Sequence, residues 1–289
     1  MTATSTELMH TSGRGLLAAV RSSLSRDEFF AGLYIVGCAG ALGSNIIRLL
    51  TSGDWAGAIA SIENISVIVW FACFAGISLM LRDKNDAIKS TDLLVAIVFL
   101  ALIAAPASEV NWAAVTGLSL YILLFTGGTS ARRRGAIILL ALTVPMLWSR
   151  VLFSFFAKFF LEIDAHFVGW LLRTPRTGNV LSFADGSGSM VILPACSSLA
   201  NVSLAFLFWV TISQWLDHRR SYEDILWCLL ACASVVAANV TRMAIMGLGR
   251  WHFETFHYGW GATLVNAIIL CLIVGFCILG VRRELFPRT

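Results

Sequence analysis

The chain has 289 residues, of which 58% are apolar and 13% charged. An average soluble domain is about 45–50% apolar and about 25% charged, so a single soluble core is excluded, and no polar segment is long enough to form a separate soluble domain. The formal charge of +4 is mild, and where the charges fall matters more than their sum.

Residues 1–28 are polar and contain Arg14, Arg21 and Arg26. No small-residue cleavage site follows the first apolar run promptly, so these residues are expected to form a cytoplasmic tail ahead of a retained span. Apolar runs then occupy 29–47, 65–81, 93–108, 112–128, 135–152, 191–215, 225–248 and 260–280. A crossing takes about 20 residues, so the pattern predicts an all-α polytopic membrane protein with about eight transmembrane helices. The runs at 93–108 and 112–128 are short, and they fit either two crossings or a re-entrant pair on one side. Pro145 is expected to kink the fifth span.

The basic residues orient the chain. With the N-terminus in the cytoplasm, the inside segments hold Arg14, Arg21 and Arg26; Arg82, Lys84 and Lys89; Arg132, Arg133 and Arg134; Arg219 and Arg220; and Arg282, Arg283 and Arg288. The outside segments hold only Arg48, Lys158, Arg173, Arg176 and Arg250. The expected organisation is a cytoplasmic tail over 1–28, one transmembrane domain over 29–280 and a cytoplasmic tail over 281–289, in the plasma (inner) membrane.

The longest outer segment covers 153–190. Residues 151–172 are rich in Phe and Leu, but Lys158, Glu162, Asp164 and His166 interrupt them, which suits a helix lying along the interface. Residues 179–183 and 188–192 are β-prone and flank Asp185-Gly186, a turn signal, so a small hairpin is expected before the sixth span. Asp185 reads as a turn former.

Seven cysteines, an odd number scattered through apolar runs, do not resemble a disulfide framework. Cys228 and Cys232 lie one helical turn apart, but no His or carboxylate joins them at metal-ligand spacing, so neither a metal nor a cofactor is expected. Cys196 differs from the rest. It lies in Leu-Pro-Ala-Cys-Ser-Ser, where Pro194 suits a helix start and places the thiol in the first turn. Unpaired backbone N–H groups and the positive dipole end would there favour the thiolate. Ser197 and Ser198 add donors.

Arg242, late in the seventh run, is costly inside a span and is a functional residue by default unless it snorkels outward. Asn239, one turn earlier, is placed to orient it. His252 and His257 lie in the aromatic loop before the last run, and either is a usable acid or base. Arg150, at the outer end of the fifth run, suits pairing with Glu162 or Asp164, or contact with a substrate carboxylate. Topology places Cys196, Arg242 and His257 on one side at similar shallow depth. A thiolate, a proton-transfer group and a fixed cation are the parts that acyl transfer needs. Asp217-His218-Arg219-Arg220 has neither the Cys nor the zinc ligands that a palmitoyltransferase of similar motif requires. No phosphate loop and no nucleic-acid patch is present.

Ala195-Cys196-Ser197-Ser198, Asn239-Val240-Thr241-Arg242 and His257-Tyr258-Gly259, in that order on consecutive outer span ends, resemble the exosortase/archaeosortase family of multi-span transpeptidases. That family carries Ala-Cys-Ser-Gly, then Asn-x-x-Arg, then a His near a Gly. The likeness covers roughly 90–285 and is sharpest over 179–261. Ser198 stands where the family usually has Gly, and His252 competes with His257 for the third position, with Gly259 favouring His257.

The resemblance implies a membrane-embedded cysteine protease or transpeptidase. Its substrates would be exported proteins ending in a short motif, one hydrophobic helix and a basic cluster. Cys196 would attack the amide just outside the membrane and form a thioester. A lipid- or polysaccharide-linked acceptor would then take the acyl group. Arg242 would stabilise the oxyanion or thiolate and His257 would transfer the proton, with Arg150, Ser197, Ser198, Asn239 and His252 as substrate-binding candidates. The competing readings are a transporter or flippase for an anionic envelope precursor and a non-catalytic assembly partner. A transporter would carry polar residues near the midplane, and these are sparse here.

Overall fold

The computed structural model describes residues 24–52, 66–82, 86–105, 107–127, 130–218 and 221–282. Of the positions used to orient the chain, Arg14, Arg21, Lys84, Arg219, Arg220, Arg283 and Arg288 lie outside the described residues.

Most apolar runs fold into one helix each. Helix α1 covers Arg26–Ser52, α2 Val67–Met80, α3 Ser90–Ile103, α4 Ser108–Phe125 and α5 Ser130–Thr143. A π-helical turn, Val144–Trp148, joins α5 to α6 (Ser149–Leu172). Three short strands follow: β1 Arg176–Thr177, β2 Val180–Ser182 and β3 Ser189–Val191. After a 3-10 turn at Pro194–Cys196 come α7 (Ser198–Trp215), α8 (Tyr222–Met246), the short α9 (Arg250–His257) and α10 (Trp260–Gly280).

Among the described residues, five helical segments are long and apolar enough to cross a membrane: 108–125, 130–172, 198–215, 222–246 and 260–280. Only 22% of the most apolar windows of α8 and α10 is buried inside the protein. Phe74, Ile97, Leu124, Phe125 and Leu229 are 60% exposed or more. Such surfaces are stable where hydrocarbon, not water, is the solvent.

The structure corrects several boundaries. Arg26 and Asp27 belong to α1 and are buried, so they are not part of a solvated tail. Residues 112–125 belong to an 18-residue helix that starts at Ser108, and the short apolar helices are α2 and α3, at 14 residues each. Arg132, Arg133 and Arg134 sit inside α5. The sixth run turns helical only at Ser198, because Val191 pairs with Val180 in the sheet and Pro194 opens a separate turn.

Pro145 acts through the π turn. It has no N–H for a helical bond, and the widened turn lets α5 continue into α6. Ser149 Oγ donates to the Pro145 carbonyl at 3.1 Å. A second break at Phe156 (φ −120°, ψ 21°) redirects α6. Beyond it Leu161, Asp164, Ala165 and Val168 face inward while Phe159, Phe167 and Trp170 face out. This period-3.6 pattern marks an amphipathic helix.

Helices α1, α3, α5 and α8 begin at one end of the bundle, called here basal, and α2, α4, α7 and α10 finish there. Arg134 Nη1 meets Asp217 Oδ1 at 2.9 Å, and the Arg82 guanidinium lies 5.2 Å from the Trp215 ring centre. Two cores result. The larger runs through the bundle around Tyr34, Leu79, Trp112 and Leu142. The smaller lies at the opposite, apical end, where α6, the sheet and α8 meet around Val168, Leu181, Met190 and Met243.

Helices α2 and α5 pack backbone to backbone. A Cβ on Gly135 would stand 2.7 Å from the Gly76 carbonyl oxygen, and one on Gly76 would stand 2.7 Å from Leu139 Cγ. Only small residues allow this approach, and close packing is what holds helices together when lipid is as apolar as they are.

The basal end contains a buried ionic frame. Arg26 donates from Nε and Nη2 to the two oxygens of Asp92 at 2.8 and 2.7 Å, and from Nη1 to the Thr126 carbonyl at 3.1 Å. Arg132 pairs through Nε with Asp27 and through Nη2 with Asp86 at 2.8 Å. Tyr121 donates to Asp92 at 2.8 Å. Arg26, Asp27, Asp92 and Arg132 are all at most 1% exposed. Removing one member leaves an uncompensated buried charge.

Arg132→Ala is therefore expected to cost about 3–5 kcal/mol, read as a lowered thermal midpoint of the detergent-solubilised protein. An apolar double replacement, Asp27→Leu with Arg132→Met, is expected to cost less than the single change. Arg250→Ala, which removes an exposed pair with Glu254, should leave the midpoint near wild type. Arg132 also holds the exposed Asp86 carboxyl below the usual range through its hydrogen bond. That contribution is present at neutral pH and is lost as pH falls through the lowered pKa, so the Arg132→Ala penalty should shrink in acid.

Candidate functional site

The apical end is built from the sheet outward. Strand β2 pairs antiparallel with both β1 and β3, in register Leu181↔Met190 on one side and Thr177↔Val180 on the other. Leu181 and Met190 point into the smaller core. The β2–β3 turn needs a left-handed residue, and Gly186 supplies it at φ 72°. Asp185 accepts the Ser187 N–H at 2.9 Å, and hydrogen bonds from the Ser187 hydroxyl and N–H hold its carboxyl below the ordinary range. The turn also docks. Ala184 N–H donates to the Gly247 carbonyl at 2.9 Å, and a Cβ on Gly249 would lie 2.1 Å from Asp185 Oδ2. Asp185 thus both forms the turn and seats it on the α8–α9 junction.

Strand β3 delivers the chain to the cysteine. Cys196 closes the 3-10 turn, its N–H donating to the Leu193 carbonyl at 2.9 Å. Ser197 is the N-cap of α7 and accepts from Leu199 N–H at 3.4 Å. Cys196 therefore precedes the cap, whereas the sequence places it in the first helical turn. The N-terminus of α7 is engaged by a different group. Asp164, on the inward face of α6, accepts the Ser198 N–H at 3.1 Å and the Ser198 hydroxyl at 2.9 Å. A carboxylate at a helix N-terminus is well placed against the dipole, so the positive helix end serves Asp164 before it serves the thiol.

Asn239 bridges α8 to this loop. Its Nδ2 donates to the Cys196 carbonyl at 2.8 Å and to Ser198 Oγ at 3.1 Å. The side chain grips the cysteine loop. Ser197 and Ser198 are 3% and 5% exposed, and their polar groups serve the cap, Asp164 and Asn239. That makes them structural parts of the loop.

Arg242 is half-buried and donates from Nε to the Phe256 carbonyl at 3.0 Å, tying α8 to the last turn of α9. His257 is the next residue. Its ring stacks on Phe253 with centroids 5.0 Å apart, and Phe253 and Phe256 pack on the same small core as Cys196. His252 lies edge-on to Trp251 at 4.9 Å between centroids and within electrostatic reach of Asp185. Cys196, Asn239, Arg242 and the His257 end of α9 thus meet at the apical end.

Arg150 is exposed on α6. Its two proposed partners are engaged elsewhere, Asp164 with Ser198 and Glu162 with Lys158 at 3.9 Å, and no contact draws Arg150 into the cluster. The sequence suggested Asp164 only as a partner for Arg150, not as a support for the cysteine loop. Its one signal was its place among Leu161, Ala165 and Val168 on the apolar face of an amphipathic stretch, where a carboxylate needs a reason to be. All seven cysteines are free thiols. Among the described residues, no three His, Cys, Asp or Glu side chains come together as a metal site would require.

Comparison with protein-family models, with curated proteins and with solved structures finds no match to this chain.

Asn239→Leu keeps the volume and removes both donors, leaving the buried Cys196 carbonyl and Ser198 hydroxyl short of a partner. The expected cost is about 1–3 kcal/mol, seen as a lower thermal midpoint. An unchanged midpoint would show that the bridge adds nothing to the fold.

Proposed function

We propose that this protein is a membrane-embedded cysteine transpeptidase of the exosortase/archaeosortase kind. It would span the plasma membrane with about eight helices, its basal end in the cytoplasm and its apical cluster on the extracytoplasmic side. The orientation rests on Arg26, Arg82, Lys89, Arg132, Arg133, Arg134 and Arg282, which all fall at the basal end. The observation that carries the chemical reading is the convergence of three separate motifs. Asn239 bonds the Cys196 backbone at 2.8 Å, and Arg242 bonds the residue before His257 at 3.0 Å.

In this reading Cys196 Sγ, as thiolate, attacks the carbonyl carbon of a peptide bond in an exported protein, just outside its C-terminal hydrophobic helix. Arg242 stabilises the charge that develops on the carbonyl oxygen. His257 gives a proton to the leaving amine as the C–N bond breaks. The products are a thioester on Cys196 and a released helix with a free amino terminus. A hydroxyl or amine of a lipid- or polysaccharide-linked acceptor then attacks the thioester, His257 takes its proton, and the thiolate is restored. Water in place of the acceptor would give hydrolysis by the same steps. The chain's own side chains supply each step, so the reading calls for no cofactor.

The test is co-expression with a secreted protein of the same host that ends in a short motif, a single hydrophobic helix and a basic cluster. Loss of that helix, together with a hydroxylamine-sensitive adduct at Cys196, is the expected result. Cys196→Ala should abolish both, and processing that persists in that variant would end the proposal. Arg242→Ala should slow processing by about 10²–10³-fold and His257→Ala by about 10²–10⁴-fold. His252→Ala should leave it close to wild type.

A further inference from the structure

Asp164 is 4% exposed on a helix face whose other inward residues, Leu161, Ala165 and Val168, are apolar. A carboxylate buried in this way loses hydration and needs compensation. Here the hydrogen-bonding groups come from the cysteine loop. The Ser198 N–H and hydroxyl donate to its two oxygens, and the Ser197 side chain also interacts with it. The chain of donors continues without a break. Asn239 Nδ2 donates to Ser198 Oγ and to the Cys196 carbonyl, while Ser198 passes its own hydroxyl proton on to Asp164. Residues 196–198 are thereby fixed at three points, from α6 on one side and α8 on the other.

We propose that Asp164 is a positioning residue that sets where the Cys196 thiol stands relative to Arg242 and His257. This deepens the transpeptidase reading and rests on it. The 3-10 turn is a short piece of backbone joined to a strand, with no helical ladder of its own to hold it. What fixes its exit is the Ser198 frame, and Asp164 is the acceptor on which that frame ends. Displacing a reacting atom by about 1 Å can cost on the order of 10²-fold in rate, so an anchor two residues away can govern turnover without touching substrate. The family Gly at the position of Ser198 could not make the side-chain half of this anchor. Ser198 and Asp164 are therefore a matched pair in this chain.

The test uses the full-length protein in detergent and needs no substrate. Alkylation by iodoacetamide is followed at the Cys196 peptide across pH for wild type, Asp164→Ala, Ser198→Ala and the double variant. Asp164→Ala is expected to react several-fold faster than wild type with a displaced pH profile, Ser198→Ala to move the same way, and the double variant to change by less than the two effects combined, since the bond from the Ser198 hydroxyl to Asp164 is lost in both. Asp164→Asn, which keeps one acceptor oxygen, should fall between. Processing of the substrate by Asp164→Ala should drop on the order of 10²-fold at unchanged KM. A folded Asp164→Ala or Asp164→Asn protein with the wild-type alkylation profile would overturn the positioning role, as would effects of Asp164 and Ser198 that add independently. Survival of processing in Cys196→Ala overturns the enzymatic reading instead, so the two failures are told apart.

Discussion

In hydrocarbon no water reaches a backbone amide, and an unsatisfied N–H or carbonyl there costs several kcal/mol. That constraint orders the rest of this molecule. The apolar runs become helices because a helix satisfies its own backbone. Irregular backbone survives only where the protein itself covers it. Its departures are the π turn at Pro145, the break at Phe156, the three strands and the 3-10 turn at Cys196. The strands and the 3-10 turn lie at the apical end on the smaller core, while the π turn packs through Met146 and Leu147 on the larger one. The cysteine loop is one of the non-helical segments that the smaller core covers.

The same economy governs the polar side chains. Asn239, on a membrane helix, satisfies a carbonyl that the short turn leaves without a helical partner. Asp164 accepts an N–H that α7 leaves at its first residue. Arg242 takes the Phe256 carbonyl at the frayed end of α9. Each functional candidate thus closes a helix-end deficit as well as standing near the cysteine. Under the proposed function, structural and chemical duties would overlap in these three residues.

Much of this was legible in the chain. Long apolar runs, Pro145 and Asp185-Gly186 each act through local rules, and they forecast a helical bundle, a break and a turn. The order of Cys196, Asn239, Arg242 and His257 along span ends also forecast that they would share one end. Contacts were harder to read. Arg26 and Arg132 look like any basic loop residues until Asp27, Asp86 and Asp92 are seen beside them, because those partners come from distant segments. Helical spacing pairs Asn239 with Arg242 but does not reveal its tertiary contacts with the cysteine loop, 41 and 43 positions away. The expected helix start at Pro194 failed because Val191 was already committed to β3 and Asp164 reserved Ser198 for the true first turn. Arg150 had suitable chemistry, but it is exposed on α6 and its expected partners Asp164 and Glu162 are engaged with Ser198 and Lys158.

The basal ionic frame has a consequence for biogenesis. Asp27 meets Arg132 across 105 positions of sequence, and Arg26 meets Asp92 across 66. A chain inserted from its N-terminus presents the acid and the base of α1 long before either counterpart has been synthesised. Until then both groups must stay hydrated at the membrane surface, which keeps the start of α1 from sinking. Arrival of α3 and then α5 allows them to withdraw from water. The frame therefore couples the seating of the first helix to completion of the fifth, and a chain arrested before that point remains visible as one with charges still exposed at its base.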